Sequence, residues 1–178
     1  MTEFKGTTII GVKRDGKIAI AGDGQVTMGQ QVVAKGNAIK VRRVFNDKVV
    51  VGFAGTVSDA FSLTNRFEEL LHKFSGNLMR SAVELAIGFR DDKYARKLDC
   101  MMIVADKDQM FIVSGGGDVI EPEHGIAAIG SGGNYALSAG LALMNNTDLT
   151  AKEIAIKAIE IAGSICIFTN DHITCEEV

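Results

Sequence analysis

The chain has 178 residues, of which 47% are hydrophobic and 23% charged, and a net charge of −3. This is the length and composition of one globular domain, which buries roughly 70% of its unfolded surface. No apolar stretch reaches the roughly eighteen residues of a membrane span. The negative charge argues against nucleic-acid binding.

The three cysteines, Cys100, Cys166 and Cys175, show no C-x-x-C spacing. They therefore predict neither a zinc site nor a disulfide framework, and they fit a reducing compartment. We expect a cytoplasmic protein with no nucleic-acid or membrane partner.

The first third of the chain is typical of β-strands joined by tight turns. Asp15-Gly16 is a strong signal for a two-residue type I′ hairpin between two of them. Lys35-Gly36-Asn37 is predicted to join another pair. The predicted strands are Thr8–Lys13, Lys17–Ala21, Gln31–Ala34, Ala38–Phe45 and Lys48–Ala54.

Two helix pairs alternate with the strands. Thr56 and Asp59, like Thr150 and Glu153, have the spacing of a capping box, in which two side chains satisfy the free amides at a helix start. Apolar residues recur at helical period in both pairs, with Phe61 and Ile165 among them. The predicted helices span about 56–75, 77–90, 134–144 and 150–165, and further strands lie near 100–105, 109–114, 119, 126–129 and 173–177.

Each set of strands contains hairpins, so both sheets should be mainly antiparallel. Two sheets packed face to face, with one helix pair outside each, would bury every apolar stripe. The predicted fold is therefore α+β, a four-layer α-β-β-α sandwich.

Gly6-Thr7-Thr8 precedes an apolar, β-branched run. Cleavage before Thr7 would leave a free threonine amine at the start of a strand. The hydroxyl of such a residue is a nucleophile, and its own amine, with a pKa near ~8, is the base that activates it. Taken alone, the tripeptide is more typical of a plain strand start, since threonine suits strands.

Six motifs, in this order, resemble the HslV (ClpQ) family, bacterial peptidase subunits related to proteasome β-subunits. They are Thr7-Thr8-Ile9, Gly22-Asp23-Gly24-Gln25, Lys40-Val41-Arg42-Arg43, Gly52-Phe53-Ala54-Gly55 with Asp59-Ala60-Phe61, Gly130-Ser131-Gly132-Gly133-Asn134-Tyr135-Ala136, and Ile165-Cys166-Ile167-Phe168-Thr169-Asn170. The resemblance implies an N-terminal-nucleophile hydrolase and a threonine-type endopeptidase. It also implies two stacked hexameric rings and a hexameric AAA+ ATPase, HslU (ClpY), that delivers unfolded proteins.

The resemblance assigns a role to each matching side chain. Thr7 is the nucleophile, and Lys40 is the cation that lowers the pKa of its amine. Asp23 pairs with Lys40 and fixes it, and Ser131 lies near the amine. The backbone N–H of Gly55 is our candidate oxyanion donor, because glycine lets a substrate approach closely.

The same resemblance implies a structural sodium ion held by the carbonyl oxygens of Gly163, Cys166 and Thr169. A plain helix end remains an alternative there. The Gly-Ser-Gly-Gly motif at 130–133 is not followed by Gly-Lys-Ser/Thr, so we expect this chain to bind no nucleotide.

Thr2 to Gly6 separate Met1 from the expected nucleophile, whereas many relatives place the threonine directly after Met. Either residues 1–6 are a propeptide before a single domain of residues 7–178, or removal of Met1 exposes Thr2 as the nucleophile. Two further alternatives are an amidase for small amides and a catalytically silent, unprocessed ring subunit.

Overall fold

A computed structural model describes residues 4–6, 8–29, 31–91 and 100–178, and these ranges form strands β1–β12 and helices α1–α4. The strands are β1 (Phe4–Gly6), β2 (Thr8–Arg14), β3 (Lys17–Gly22), β4 (Val26–Met28), β5 (Val32–Lys35), β6 (Val41–Val44), β7 (Val49–Thr56), β8 (Met101–Ala105), β9 (Met110–Ser114), β10 (Val119–Ile120), β11 (Ile126–Gly130) and β12 (Thr174–Glu177). The helices are α1 (Val57–Lys73), α2 (Leu78–Asp91), α3 (Gly133–Asn146) and α4 (Ala151–Ile165).

Two antiparallel sheets form the centre of the molecule. The larger runs in the order β10-β9-β8-β7-β1-β4-β5, with β6 also paired to β7. The smaller runs β11-β2-β3-β12. Strand β1 is thus inserted between β7 and β4, and it pairs antiparallel with both.

Three apolar clusters separate four layers. One lies between α1, α2 and the larger sheet, and a second between α3, α4 and the smaller sheet. The third lies between the sheets. Strand β2 shows the alternation of a strand buried on both faces: Ile9 belongs to the cluster between the sheets and Ile10 to the one beneath the helices. The predicted α-β-β-α sandwich is confirmed.

Local signals in the sequence correctly predict several turns and helix starts. Asp15 and Gly16 both have positive φ, 52° and 75°, as a type I′ turn requires. At the start of α4, the Thr150 hydroxyl accepts from Glu153 N at 3.3 Å, and the Glu153 carboxylate accepts from Thr150 N at 2.8 Å. At the start of α1, the Thr56 hydroxyl accepts from Asp59 N and donates to the Asp59 carboxylate.

The predicted hairpin around Lys35-Gly36-Asn37 is wrong. Strand β5 pairs with β4, and β6 pairs with β7, so the two segments belong to different strand pairs. The backbone between them bonds to other loops instead: Ala38 N donates to the Gly24 carbonyl at 2.9 Å, and Asn170 Nδ2 donates to the Gly36 carbonyl at 2.7 Å. Local turn chemistry was overridden by these long-range contacts.

Two apolar residues predicted to be buried are exposed. Phe61 of α1 is 51% exposed and Ile165 at the end of α4 is 55% exposed. The core side of α1 is filled by Leu63, Phe67 and Leu71, of which Phe67 and Leu71 belong to the predicted stripe. Across the described ranges, no helix combines the length and the apolar character needed to cross a membrane.

Candidate active site

Asp23 follows β3 and is the centre of a buried hydrogen-bond network. Its Oδ1 accepts from Lys40 Nζ at 2.7 Å and from Thr8 N at 3.1 Å. Its Oδ2 accepts from Gln25 N at 2.9 Å and from Asn170 N at 3.3 Å. These four donors replace the water that a buried carboxylate loses, so Asp23 is held in one orientation.

Lys40 is a buried cation that is held by Asp23, just after β3, and by strand β7. Its side chain is 7% exposed and its ammonium lies on Asp23. Its carbonyl accepts from Phe53 N of β7 at 3.1 Å, which fixes its backbone as well. Burial lowers the pKa of Lys40 from 10.5, and the charge of Asp23 opposes part of that fall.

Thr7 lies outside the described residues, but Thr8 on one side of it is firmly placed. Thr8 is fully buried, and its amide shares the Asp23 oxygen that Lys40 binds. Its hydroxyl contacts the Thr169 hydroxyl at 2.7 Å and accepts from Gly132 N at 3.1 Å. Thr8 therefore joins β2 to the loop before α3 and to the segment after α4. The sequence did not reveal this role, since a threonine at a strand start is common.

Ser131 lies beside that junction but contributes less to it than its neighbour Gly132. The Ser131 side chain is exposed, and no hydrogen bond links it to any other described residue. At Gly132, an added Cβ would lie 2.4 Å from Thr8 Oγ1 and 2.5 Å from Thr169 Oγ1. A glycine is required there, and it brings the loop that carries Ser131 close to Thr8.

Gly55 lies near the end of β7 and faces the N-terminal strand. Its φ of +148° is a conformation that favours glycine. Gly6 of β1 is its partner in the register, and Gly6 is also paired with Val26 of β4. The backbone before residue 7 thus lies between β4 and β7, directly opposite Gly55.

A cavity of about 420 Å³ adjoins Lys40 and Gly55. Its walls are mainly apolar, with Val26, Val51, Phe53 and Phe61 among them. The Arg42 guanidinium lies 4.6 Å from the centre of the Phe61 ring. The volume is within the usual range for small-ligand pockets, and it is large enough for a side chain of a bound peptide.

The three expected sodium ligands lie around the end of α4. An added Cβ on Gly163 would be 3.7 Å from the Thr169 carbonyl oxygen, so the two backbones come close together. The Cys166 carbonyl accepts from Thr169 N at 3.1 Å, which leaves its second lone pair for a cation. Among the described residues, no cluster of His, Cys, Asp and Glu side chains could hold a metal. Carbonyl oxygens, the donors that hard cations prefer, fit the expected ion.

Comparison with known proteins agrees with this architecture. A family model described as Proteasome subunit matches residues 3–178. The ATP-dependent protease subunit HslV of Listeria innocua is 59% identical over 99% of both chains, and that of Listeria monocytogenes is 58% identical over the same share. The crystal structure of HslV from Trypanosoma brucei has a TM-score of 0.91 and 42% identity, covering 96% of this chain and 98% of its own.

A more distant structure, BPH of Thiobacillus denitrificans, shares the fold with a TM-score of 0.72 at 22% identity, over 97% of this chain and 98% of its own. The fold and the site define a proteasome-type subunit. The chain belongs to the proteasome family and, within it, to the HslV group.

Proposed function

We propose that this chain is the peptidase subunit of an ATP-dependent protease and that Thr7 is its N-terminal nucleophile. The observation that carries the proposal is the buried Lys40–Asp23 pair, whose shared oxygen also accepts from Thr8 N. The residue next to Thr7 is thereby fixed beside a desolvated cation. A threonine that serves as both nucleophile and base needs a neighbouring cation, because the cation lowers the pKa of its amine.

The proposed reaction uses two groups of the same residue. The Thr7 amine takes the hydroxyl proton as Oγ attacks the substrate carbonyl carbon, and a tetrahedral oxyanion forms. The amine then returns the proton to the leaving nitrogen as the peptide bond breaks, which leaves an ester on Thr7. The same amine takes a proton from water as the water oxygen attacks the ester carbon. It returns this proton to Oγ as the ester bond breaks, which frees the Thr7 hydroxyl and releases the acyl group as a carboxylic acid.

The surrounding residues act on these steps without forming covalent bonds. The Lys40 cation lowers the pKa of the Thr7 amine by like-charge repulsion, so more of it is the free base. Asp23 holds Lys40 in place. The Gly55 N–H donates to the oxyanion, and the Ser131 hydroxyl lies on the loop near the amine.

The N-terminal segment supports Thr7 rather than Thr2 as the nucleophile. Gly6, whose carbonyl must be attacked when the Gly6–Thr7 bond is cut, is paired opposite Gly55. The residue that carries the proposed oxyanion donor is thus the register partner of Gly6. A chain that keeps residues 4–6 between β4 and β7 would be catalytically silent, since its amine is not free.

The assembly and the partner follow from the HslV group. We expect two stacked hexameric rings that enclose the active sites, and a hexameric AAA+ ATPase of the HslU type that delivers unfolded proteins. The relatives are named subunits of an ATP-dependent protease, and this sequence has no nucleotide-binding motif. ATP use is therefore assigned to the partner. The cytoplasmic location remains a prediction.

We also expect a sodium ion on the carbonyl oxygens of Gly163, Cys166 and Thr169. Its role would be structural: it would hold the end of α4 and the Thr169 segment. That segment bonds to Thr8 and Asp23 through Thr169 and Asn170.

Two variants and a mass measurement test the proposal. The intact mass of the purified protein should correspond to a chain that begins at Thr7. Thr7→Ala should abolish hydrolysis of a fluorogenic peptide, while Thr2→Ala should keep it. Full activity in Thr7→Ala together with loss in Thr2→Ala would assign the nucleophile to Thr2. Activity in both variants would refute an N-terminal threonine mechanism.

A further inference from the structure

Gly55 carries the proposed oxyanion donor, yet glycine is the residue whose backbone is least restrained by its own atoms. A catalytic donor must be held within about 0.5 Å of its productive position. The restraint on Gly55 must therefore come from neighbouring residues. On the side of Gly55 where a Cβ would stand, the nearest neighbour is Cys100.

Cys100 packs directly against the Cα of Gly55. A Cβ built on Gly55 would lie 2.8 Å from Cys100 Cβ and 3.1 Å from Cys100 Cα, and 3.1 Å from Phe53 Cε1. The contact follows from the sheet register, in which Ala54 of β7 is paired with Met101 of β8. Cys100, which precedes Met101, is thus brought beside Gly55, which follows Ala54. The nearest atoms of Cys100 on this side are its Cβ and Cα.

Cys100 is itself firmly held. It is 5% exposed and lies in the apolar cluster beneath α1 and α2. Its carbonyl accepts from Gly115 N, in the turn after β9, at 2.8 Å. Cys100, which is held by these contacts, therefore supports one side of Gly55, whose own backbone is flexible.

We propose that Cys100 is a positioning residue: its Cβ forms the wall that fixes the Gly55 amide for oxyanion binding. This role rests on the proposed threonine peptidase function. It uses no thiol chemistry, so alanine should replace Cys100 and glycine should not.

The test compares Cys100→Ala and Cys100→Gly as processed, assembled proteins, with kcat and KM measured on a fluorogenic peptide. Cys100→Ala keeps the Cβ, so its kcat should stay within about twofold of the original. Cys100→Gly removes that Cβ, so the Gly55 amide can move. Its kcat should fall about 10- to 100-fold, a part of what an entire oxyanion donor supplies, while KM changes less than about threefold.

Ala105→Gly is the matched control, because it removes a buried Cβ from the far end of β8. It should lower the thermal midpoint as Cys100→Gly does and keep kcat within about twofold. Three results would overturn the role of Cys100: an unchanged kcat in Cys100→Gly, an equal loss in Cys100→Ala, or failure of Cys100→Gly to assemble when Ala105→Gly assembles. A wild-type protein without any peptidase activity would refute the proposed function itself.

Discussion

Lys40 shows how one buried charge serves the proposed chemistry. Its ammonium is removed from water, which lowers its pKa, and the charge of Asp23, 2.7 Å from Lys40 Nζ, opposes part of that fall. Asp23 in turn does not depend on Lys40 alone, since three backbone amides also donate to it. Replacing Lys40 therefore leaves the carboxylate with partners, and the folded state should survive the change.

We predict that Lys40→Met lowers kcat by about 10²-fold or more, the lower end of the effect of a positioned electrostatic group. Lys35→Met is the matched control, because Lys35 lines the same cavity but its side chain is exposed. That variant should retain kcat within about threefold. A monomeric or unfolded Lys40→Met protein would show that Lys40 is structural.

The pH profile gives a second, independent prediction for Lys40. A nearby cation lowers the pKa of the Thr7 amine, so its removal raises that pKa. The amine must be unprotonated to act as a base. The acidic limb of the kcat/KM profile should therefore move to higher pH in Lys40→Met and stay in place in Lys35→Met. An unchanged limb in Lys40→Met would contradict the proposed effect on the amine.

At the scale of elements, three segments that are distant in the sequence meet at Thr8. Strand β2, the loop before α3 and the segment after α4 are joined there by the hydroxyls of Thr8 and Thr169 and the amide of Gly132. Both side chains are buried, so neither can move aside easily. The junction sets the position of the strand that begins immediately after the proposed nucleophile.

We predict that Gly132→Ala disrupts this junction. Its Cβ would overlap both hydroxyls, and such overpacking costs about 1–3 kcal/mol of unfolding free energy. Peptidase activity should fall with it. Gly116→Ala is the control, because its Cβ would meet nothing closer than 3.5 Å, and its cost should stay within about 0.5 kcal/mol. Thermal or urea unfolding measures the stability of the two variants. Equal stabilities of Gly132→Ala and Gly116→Ala would contradict the proposed clash.

Local patterns predicted most of the fold, whereas the roles in the candidate site came mainly from the resemblance. Strand alternation, helical periodicity and the Thr150–Glu153 capping box are properties of neighbouring residues, so the sequence reveals them. The pairing of β5 with β4, the insertion of β1 and the contact between Cys100 and Gly55 depend on residues far apart in the chain. No local pattern encodes such contacts. Lys40 and Asp23 were found only through resemblance, and the structure places them 2.7 Å apart.

For the whole molecule, the proposed enclosure of the active sites explains how a self-contained nucleophile would spare folded proteins. We predict that the protein alone forms a dodecamer and hydrolyses short peptides slowly. Adding an HslU-type ATPase with ATP should stimulate peptide hydrolysis and allow degradation of an unfolded protein. Size-exclusion chromatography with light scattering and a peptidase assay with and without the ATPase measure these outcomes. A monomer, or rapid degradation of a folded protein without the ATPase, would contradict the chambered assembly.

The central claim is that Thr7 acts as nucleophile with its amine free. The most direct measurement is to label the assembled protein with a peptide vinyl sulfone, an electrophile for the nucleophile, and to locate the adduct by peptide mass spectrometry. The account predicts a labelled N-terminal peptide that begins at Thr7, with the adduct on that residue, and no labelling of Thr7→Ala. An adduct on Thr2, or on Thr7 within a chain that still carries residues 2–6, would contradict it.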